Sequence, residues 1–178
     1  MNTPYIGVTG FMSRAEVDEV LKAIPAGAER LLMVGVLVSS KTMQGIPNKW
    51  PKRYPSADQI AGIFPDHRLA LNLVYFNTKD PSELLSQMLE VTKLGGENFH
   101  GFQLNIKWPN PYTLEEYKKE YPDKIIVLQC GEAALDAVSC NPTILVEVAE
   151  NYIGVCDYLL VDPSGGLGKP LNPHKGIE

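Results

Sequence analysis

Six short apolar runs, separated by stretches with helical periodicity, constrain the fold of this chain more than any other feature. The runs at residues 31–38 and 158–161 carry almost no polar atoms, which is typical of parallel strands that are covered on both faces. The intervals between the runs suit a crossover helix rather than a hairpin. The predicted strands are residues 5–8, 31–38, 69–76, 102–106, 124–128 and 158–161. The sequence therefore predicts an α/β fold built from six βα units.

Capping signals and helix breakers place the helices between these strands. Ser13 and Thr113 are each followed three residues later by a glutamate, Glu16 and Glu116, which predicts two capping boxes. Gly95 is expected to stop the helix that precedes the fourth strand. The predicted helix starts are Ser13, Ser56, Pro81, Thr113 and Pro142.

The segment after the second strand, residues 39–55, lacks any regular pattern. It contains three prolines, Trp50 and the basic residues Lys49, Lys52 and Arg53. Connections without structure that exceed about 12 to 15 residues are uncommon in compact domains and are frequently functional. The segment is therefore predicted to be a lid or a binding loop.

The stretch DYLLVDPSGGLGKP, residues 157–170, joins a predicted buried strand to Asp162 and then to a glycine-rich loop that ends at Lys169. Ligands of parallel α/β folds bind at this end of the strands. The loop is not a phosphate-binding P-loop, because Pro163 stands where the first glycine is needed and Pro170 follows the lysine. It also lacks the third glycine of a dinucleotide fingerprint. A plain turn with a solvated lysine is the alternative interpretation.

Charge and hydropathy exclude several classes of protein. The formal net charge is -5 and the chain has no run of Lys or Arg, so neither nucleic acid nor an anionic membrane is an expected partner. The beginning of the chain lacks the apolar core of a signal peptide, and the longest apolar run is far shorter than the roughly 20 residues of a membrane span. A cytoplasmic location is expected.

The cysteines argue against a metal or disulfide framework. Cys130, Cys140 and Cys156 are odd in number and form no CxxC pair. We expect reduced, packed thiols. No metal site and no cofactor are predicted.

Four stretches, in order along the chain, resemble phosphoribosylanthranilate isomerase, a (β/α)8-barrel enzyme family. They are IGVTGFMS at residues 6–13, KRYPSADQI at residues 52–60, GFQLN at residues 101–105 and VDPSGGLGK at residues 161–169. The resemblance implies a TIM-type (β/α) barrel of the phosphate-binding kind, formed as one domain over residues 1–178. A full barrel has eight strands, so six units imply an incomplete barrel.

The resemblance also implies roles for individual residues. Asp162 corresponds to the general acid that protonates the sugar ring oxygen, and Arg53 to the arginine that contacts substrate. Gln103 is retained, whereas Asn105 replaces the family's histidine. The catalytic positions are Asp162 and Thr9, and the substrate-binding positions are Arg53, Gln103, Asn105, Gly165, Gly166, Gly168 and Lys169.

The main departure from the family concerns the general base. The family has a cysteine where this chain has Thr9, and an aliphatic alcohol is far harder to deprotonate than a thiol of pKa about 8.5. The implied function is that of an intramolecular aldose–ketose isomerase that acts on or binds a small phosphorylated sugar. Strict phosphoribosylanthranilate isomerase activity is not expected, and a non-catalytic ligand-binding or regulatory barrel is the alternative.

The missing units have two further consequences. The family grips substrate phosphate with loops after strands seven and eight, which six units do not supply. The outer edges of the first and sixth strands would also be unpaired, and exposed edges favour association. We therefore expect a homo-oligomer that covers these edges, or a chain that is part of a longer protein.

For most of the other residues with reactive or aromatic side chains, the sequence predicts structural roles. His67 and His100 precede strands and so lie at the end opposite the expected site. His174 is expected at the start of a helix, and Trp50 and Trp108 are expected to stack on a ligand or to anchor loops. Two further candidates for a chemical role are Lys107, as a Schiff-base lysine, and Cys130, as a substitute base.

Overall fold

A computed structural model describes residues 3–25 and 27–162 of the chain. These residues form two compact units, Met1–Gln103 and Leu104–Glu178. The structure confirms an α/β fold with six parallel strands. The assignment to one domain over residues 1–178 stays a prediction.

The first unit is built on the strand order β1-β2-β3-β4. Parallel pairing sets Thr9 beside Gly35 and Ser39 beside Asn77, so the carboxyl ends of β1, β2 and β3 lie on the same side. The strands are β1 Tyr5–Thr9, β2 Leu31–Ser39, β3 Ala70–Asn77 and β4 Gly101–Leu104, the last of which reaches the boundary between the units. The helices are α1 Arg14–Lys22, α2 Ser40–Met43, α3 Ile60–Ile63 and α4 Leu84–Gly95, with 3-10 turns at Pro51–Arg53, Ala57–Gln59 and Pro81–Glu83.

The described residues of the second unit, 104–162, form a parallel pair of strands and three helices. Its elements are α5 Pro111–Glu120, β5 Ile125–Cys130, α6 Glu132–Ala137, α7 Pro142–Glu150 and β6 Tyr158–Val161. The register places Cys130 beside Val161, so β5 and β6 end together and Asp162 follows directly. No helix in the part of the chain that the structure describes has the length and apolarity needed to cross a bilayer.

The core of the first unit contains β2 and a group of aromatic rings. From Leu32 to Ser39 every residue of β2 is buried, as the apolar run predicted. Four buried phenylalanines form a cluster, in which the Phe99 and Phe102 rings meet edge to face with centroids 5.0 Å apart. Such contacts add about 0.5 to 1.5 kcal/mol to the burial of the rings. The other members of this cluster are Phe64 and Phe76.

The prediction of burial on both faces is wrong for β6. Leu159 is 45 % exposed and Val161 is 46 % exposed, although their neighbours Tyr158 and Leu160 are partly buried. An apolar run shows that a strand has side chains suited to burial. Whether they are buried depends on which other elements cover the strand. Within the described residues of the second unit, β6 pairs with β5 alone.

The structure differs from the predicted loops and helices at three places. The segment predicted to lack structure holds α2 and a 3-10 turn ending at Arg53. The helix predicted to start at Thr113 begins at Pro111 and is capped by Asn110, whose side chain accepts a hydrogen bond from the Tyr112 amide at 3.1 Å. Before α1, the Ser13 hydroxyl accepts from the amide of Glu16 as predicted, but the Glu16 carboxylate accepts from Met12 rather than from Ser13.

Candidate functional site

The carboxyl end of β1 is held tightly against β2. The amides of Gly10 and Phe11 both donate to the Gly35 carbonyl, at 2.8 and 3.4 Å. Gly35 has no room for a side chain, because an added Cβ would lie 2.7 Å from Cγ2 of Thr9 and 2.9 Å from the Val8 carbonyl oxygen. The turn that follows Thr9 therefore has a fixed position.

Arg53 packs on that turn. A Cβ added to Gly10 would lie 3.2 Å from both Nε and Nη2 of Arg53, so the guanidinium occupies the space beside the glycine. Gly10 also has a φ of +98°, a conformation that favours glycine. The structure thus brings together Gly10 and Arg53, with Thr9 adjacent in the chain.

The charge of Arg53 is not neutralised within the described part of the chain. Arg53 is exposed, and no carboxylate lies within ion-pair distance of it there. An exposed guanidinium presents a planar set of donors that matches phosphate and carboxylate oxygens. The carboxyl end of β1 is therefore a candidate anion site.

Hydrogen bonds from two strand ends hold the segment that carries Arg53. The Ser39 hydroxyl donates to Oδ1 of Asn48 at 2.7 Å, and Nδ2 of Asn48 donates to Oγ1 of Thr42 at 3.1 Å. Nδ2 of Asn77, the last residue of β3, donates to the Tyr54 hydroxyl at 3.4 Å. Sequence reasoning missed these polar contacts, although Ser39 and Asn77 both stand where an apolar run becomes polar.

In the second unit, Asp162 lies at the end of β6. Its Oδ2 accepts a hydrogen bond from Nε2 of Gln129 at 2.9 Å, and its backbone amide donates to the Cys130 carbonyl at 3.0 Å. Gln129 is 5 % exposed and Asp162 is partly buried. Gln129 was not predicted, but the signal was present, since it is a polar residue inside an otherwise apolar strand.

The two residues predicted around β4 occupy different environments. Gln103 is buried in β4, within the first unit. Asn105 follows β4 in the second unit and is partly buried, with its Oδ1 3.4 Å from the position of a Cβ added to Gly131. Asn105 therefore lies against the turn that follows β5.

Neither the buried thiol of Cys130 nor the partly buried thiol of Cys156 can serve as a base at neutral pH. Burial raises the pKa of Cys130 to about 11 and that of Cys156 to about 12, because the thiolate loses its hydration. Cys130 is therefore not a general base at neutral pH, which contradicts its prediction as a substitute base, and its thiol behaves as a small buried apolar group.

The two histidines of the first unit and Trp108 have structural roles. Nδ1 of His67 accepts from the Leu69 amide at 3.2 Å, and Nδ1 of His100 accepts from the Asn72 amide at 3.0 Å. Nε1 of Trp108 donates to the Ala134 carbonyl at 2.9 Å. Trp108 is thus a loop anchor, whereas Trp50 is 58 % exposed.

Several predicted site residues lie outside the described part of the chain. They are Gly165, Gly166, Gly168 and Lys169, together with His174. Within residues 3–25 and 27–162, no group of three or more His, Cys, Asp and Glu side chains is placed to hold a metal ion.

Comparison with known proteins identifies no relative. No protein-family model, no curated protein and no solved structure matches the chain significantly.

Proposed function

We propose that this protein binds a small phosphorylated sugar at the carboxyl end of β1, with Arg53 holding the anionic group. The observation that supports it most directly is the guanidinium that packs on Gly10 without a carboxylate partner in the described residues. A phosphate there would receive charge-assisted hydrogen bonds, which are stronger than bonds between neutral groups. The fold proposed for this function is an incomplete TIM-type barrel of the phosphoribosylanthranilate isomerase kind.

Calorimetric titration with ribose 5-phosphate and with ribose tests the binding. We expect the phosphorylated sugar to bind and ribose to bind at least about tenfold more weakly. Arg53→Met should raise the Kd for ribose 5-phosphate by about tenfold or more, because it removes the paired donors. Lys52→Met is the matched control, since Lys52 lies in the same 3-10 turn and is also exposed. Equal losses in the two variants would contradict a specific role for Arg53.

Aldose–ketose isomerase activity is the second candidate function. It is favoured by Asp162, a carboxyl group at the end of a parallel strand that the Gln129 side chain holds in position. Asp162 would protonate the ring oxygen of the sugar, and a base would remove the C2 proton. Neither Thr9, an alcohol, nor Cys130, a buried thiol, is such a base at neutral pH.

Restoring the missing thiol tests this second function. We expect the unmodified protein to leave the fluorescence of phosphoribosylanthranilate unchanged over time, and Thr9→Cys to produce turnover. Adding Asp162→Asn to Thr9→Cys should abolish that turnover if Asp162 is the acid. Turnover that persists in the double variant Thr9→Cys with Asp162→Asn would exclude Asp162 as the acid. A Thr9→Cys variant that binds the substrate without turnover would support the binding function alone.

A further inference from the structure

The first unit contains a cavity of about 450 Å³ in the segment between β2 and α3. This volume is within the range of pockets that hold small organic ligands. Arg53 is not among its lining residues, so the cavity is distinct from the guanidinium contact at Gly10. Its apolar wall is formed by Met43, Ile46, Pro47, Pro51 and Pro55.

Hydrogen bonds hold the wall of this cavity in place. Asn48, which lines it, is bonded to Ser39 and to Thr42, and Tyr54 is bonded to Asn77 at the end of β3. The prolines restrict the backbone further, because each fixes its own φ. The cavity is therefore formed before any ligand enters, which is usual for small-molecule sites.

The charges around the cavity differ from those of the chain as a whole. Residues 31–57 include four cations and no aspartate or glutamate, although the net charge of the protein is -5. Lys49 and Lys52 adjoin the lining residues Asn48 and Pro51, and both lysines are exposed. Neither forms an ion pair within the described residues; the Lys49 ammonium lies 5.1 Å from the centroid of the Trp50 ring. Neither lysine lines the cavity itself, but each places a positive charge on a residue next to the lining in the sequence.

The lining of the cavity also includes one acidic residue. Asp58 contributes to the lining and is the first carboxylate after the basic stretch. A carboxylate in a ligand site accepts hydrogen bonds from hydroxyl groups, as acids do from ribose in dinucleotide sites. It also repels phosphate, so an anionic group is directed toward the lysines.

We propose that this cavity binds a nucleoside monophosphate. The base packs on the proline-rich wall, the ribose hydroxyls donate to Asp58, and the phosphate faces Lys49 and Lys52. A sugar phosphate alone would leave the apolar wall without a partner, and an uncharged apolar ligand would leave the lysines without one. The site is additional to the proposed sugar-phosphate site at Arg53 and does not depend on it.

Calorimetric titration with AMP, adenosine and inorganic phosphate tests the ligand class. We expect AMP to bind at least about tenfold more tightly than either adenosine or phosphate, since only AMP uses both the wall and the lysines. Adenosine that binds as tightly as AMP would overturn the role of the lysines. Phosphate that binds as tightly as AMP would overturn the role of the apolar wall.

Three variants locate the site. Ala57→Trp fills the cavity with a large side chain and should abolish AMP binding, and the double variant Lys49→Ala with Lys52→Ala should weaken it about tenfold. Lys93→Ala is the matched control, because Lys93 is an exposed lysine on α4 that does not line the cavity. Circular dichroism melts would show that each variant is folded.

Arg53→Met separates this proposal from the one above. We expect Arg53→Met to weaken the binding of ribose 5-phosphate and to leave AMP binding unchanged. Ala57→Trp should abolish AMP binding and leave the binding of ribose 5-phosphate unchanged. AMP binding that is lost in Arg53→Met and kept in Ala57→Trp would assign AMP to the Arg53 site and overturn the proposal. Absence of AMP binding to the folded protein at millimolar concentration would also overturn it.

Discussion

Gly35 shows how a single residue positions the candidate anion site. It leaves space for Thr9 and accepts the amides of the turn that presents Gly10 to Arg53. The sequence alone does not show that position 35 requires glycine, because alanine is equally compatible with an apolar strand. The requirement comes from the neighbouring strand, which approaches the position of the absent Cβ.

Gly35→Ala should destabilise the protein by about 1 to 3 kcal/mol, because the new methyl group would overlap with Thr9 and with the Val8 carbonyl. Urea denaturation followed by circular dichroism measures the change. Gly62→Ala is the matched control, since Gly62 lies in α3 with nothing within 4 Å of an added Cβ. That variant should gain up to about 1 kcal/mol from helix propensity. Equal effects of the two substitutions would contradict the close approach at Gly35.

The three thiols should differ strongly in reactivity. At pH 8 the exposed Cys140 should react rapidly with a disulfide reagent. The buried Cys130 should react only after unfolding, and the partly buried Cys156 should react slowly because its thiol pKa is raised. Absorbance of the released thiol measures the number of fast sites. The variant Cys140→Ser should lose the fast phase, and a fast phase that persists would show that a buried thiol is accessible.

The same two thiols predict a loss of stability in alkali. Their pKa values rise from an ordinary 9.0 to about 11 and about 12 in the folded state. The unfolded chain therefore releases these protons first as the pH rises. Stability should be unaffected by them below about pH 9 and should fall progressively above it. Urea midpoints between pH 7 and 11 measure this, and Cys130→Ala should reduce the slope.

At the scale of elements, α5 shows where local signals compete. Thr113 followed by Glu116 has the pattern of a capping box, but the sequence Asn110-Pro111 offers a better start three residues earlier. Asn accepts the free amide of the first turn, and proline at the first helical position needs no hydrogen-bond partner. In the folded chain Glu116 pairs with Lys119 instead.

Asn110→Ala should therefore cost about 1 kcal/mol of folding free energy. Thr113→Ala, the control, should change stability by no more than about 0.5 kcal/mol, since alanine has the better helix propensity. Chemical denaturation of both variants makes the comparison. A larger loss of stability in Thr113→Ala than in Asn110→Ala would show that the helix is capped by Thr113, as the sequence pattern indicated.

At the scale of the whole molecule, apolar exposure at strand edges predicts self-association. In the described part of the first unit β1 pairs with β2 alone, and Ile6 is 59 % exposed and Val8 36 % exposed. An exposed edge with apolar side chains is a template for pairing with another chain. We expect sedimentation equilibrium to show association that increases with protein concentration.

Ile6→Lys combined with Val8→Lys should weaken that association, because lysines on an edge strand disfavour pairing. Ser86→Lys, at an exposed position of α4, is the control and should leave the association unchanged. A protein that stays monomeric at all concentrations would exclude the predicted homo-oligomer. Association that is unaffected by the β1 lysines would place the interface elsewhere.

Much of the fold could be predicted because its causes are local. All six strands lie within a few residues of the predicted positions, since apolar runs and the polar segments between them mark strands directly. Thr9 and Arg53 were indicated as site positions only by resemblance to a family, and the contact between Gly10 and Arg53 was not predicted. Gln129 and Gly35 were missed, because their roles arise from contacts between strands that are distant in the sequence.

The sequence by itself determined the fold class, the strands and the acid-free basic segment, because periodicity, capping and charge are properties of neighbouring residues. Only the tertiary structure decided that β6 is half-exposed, that Arg53 packs on Gly10 and that the segment after β2 forms an open cavity. Each of these depends on which surfaces meet after folding. Burial and side-chain contact are set by that packing, and a linear pattern specifies only what could be buried.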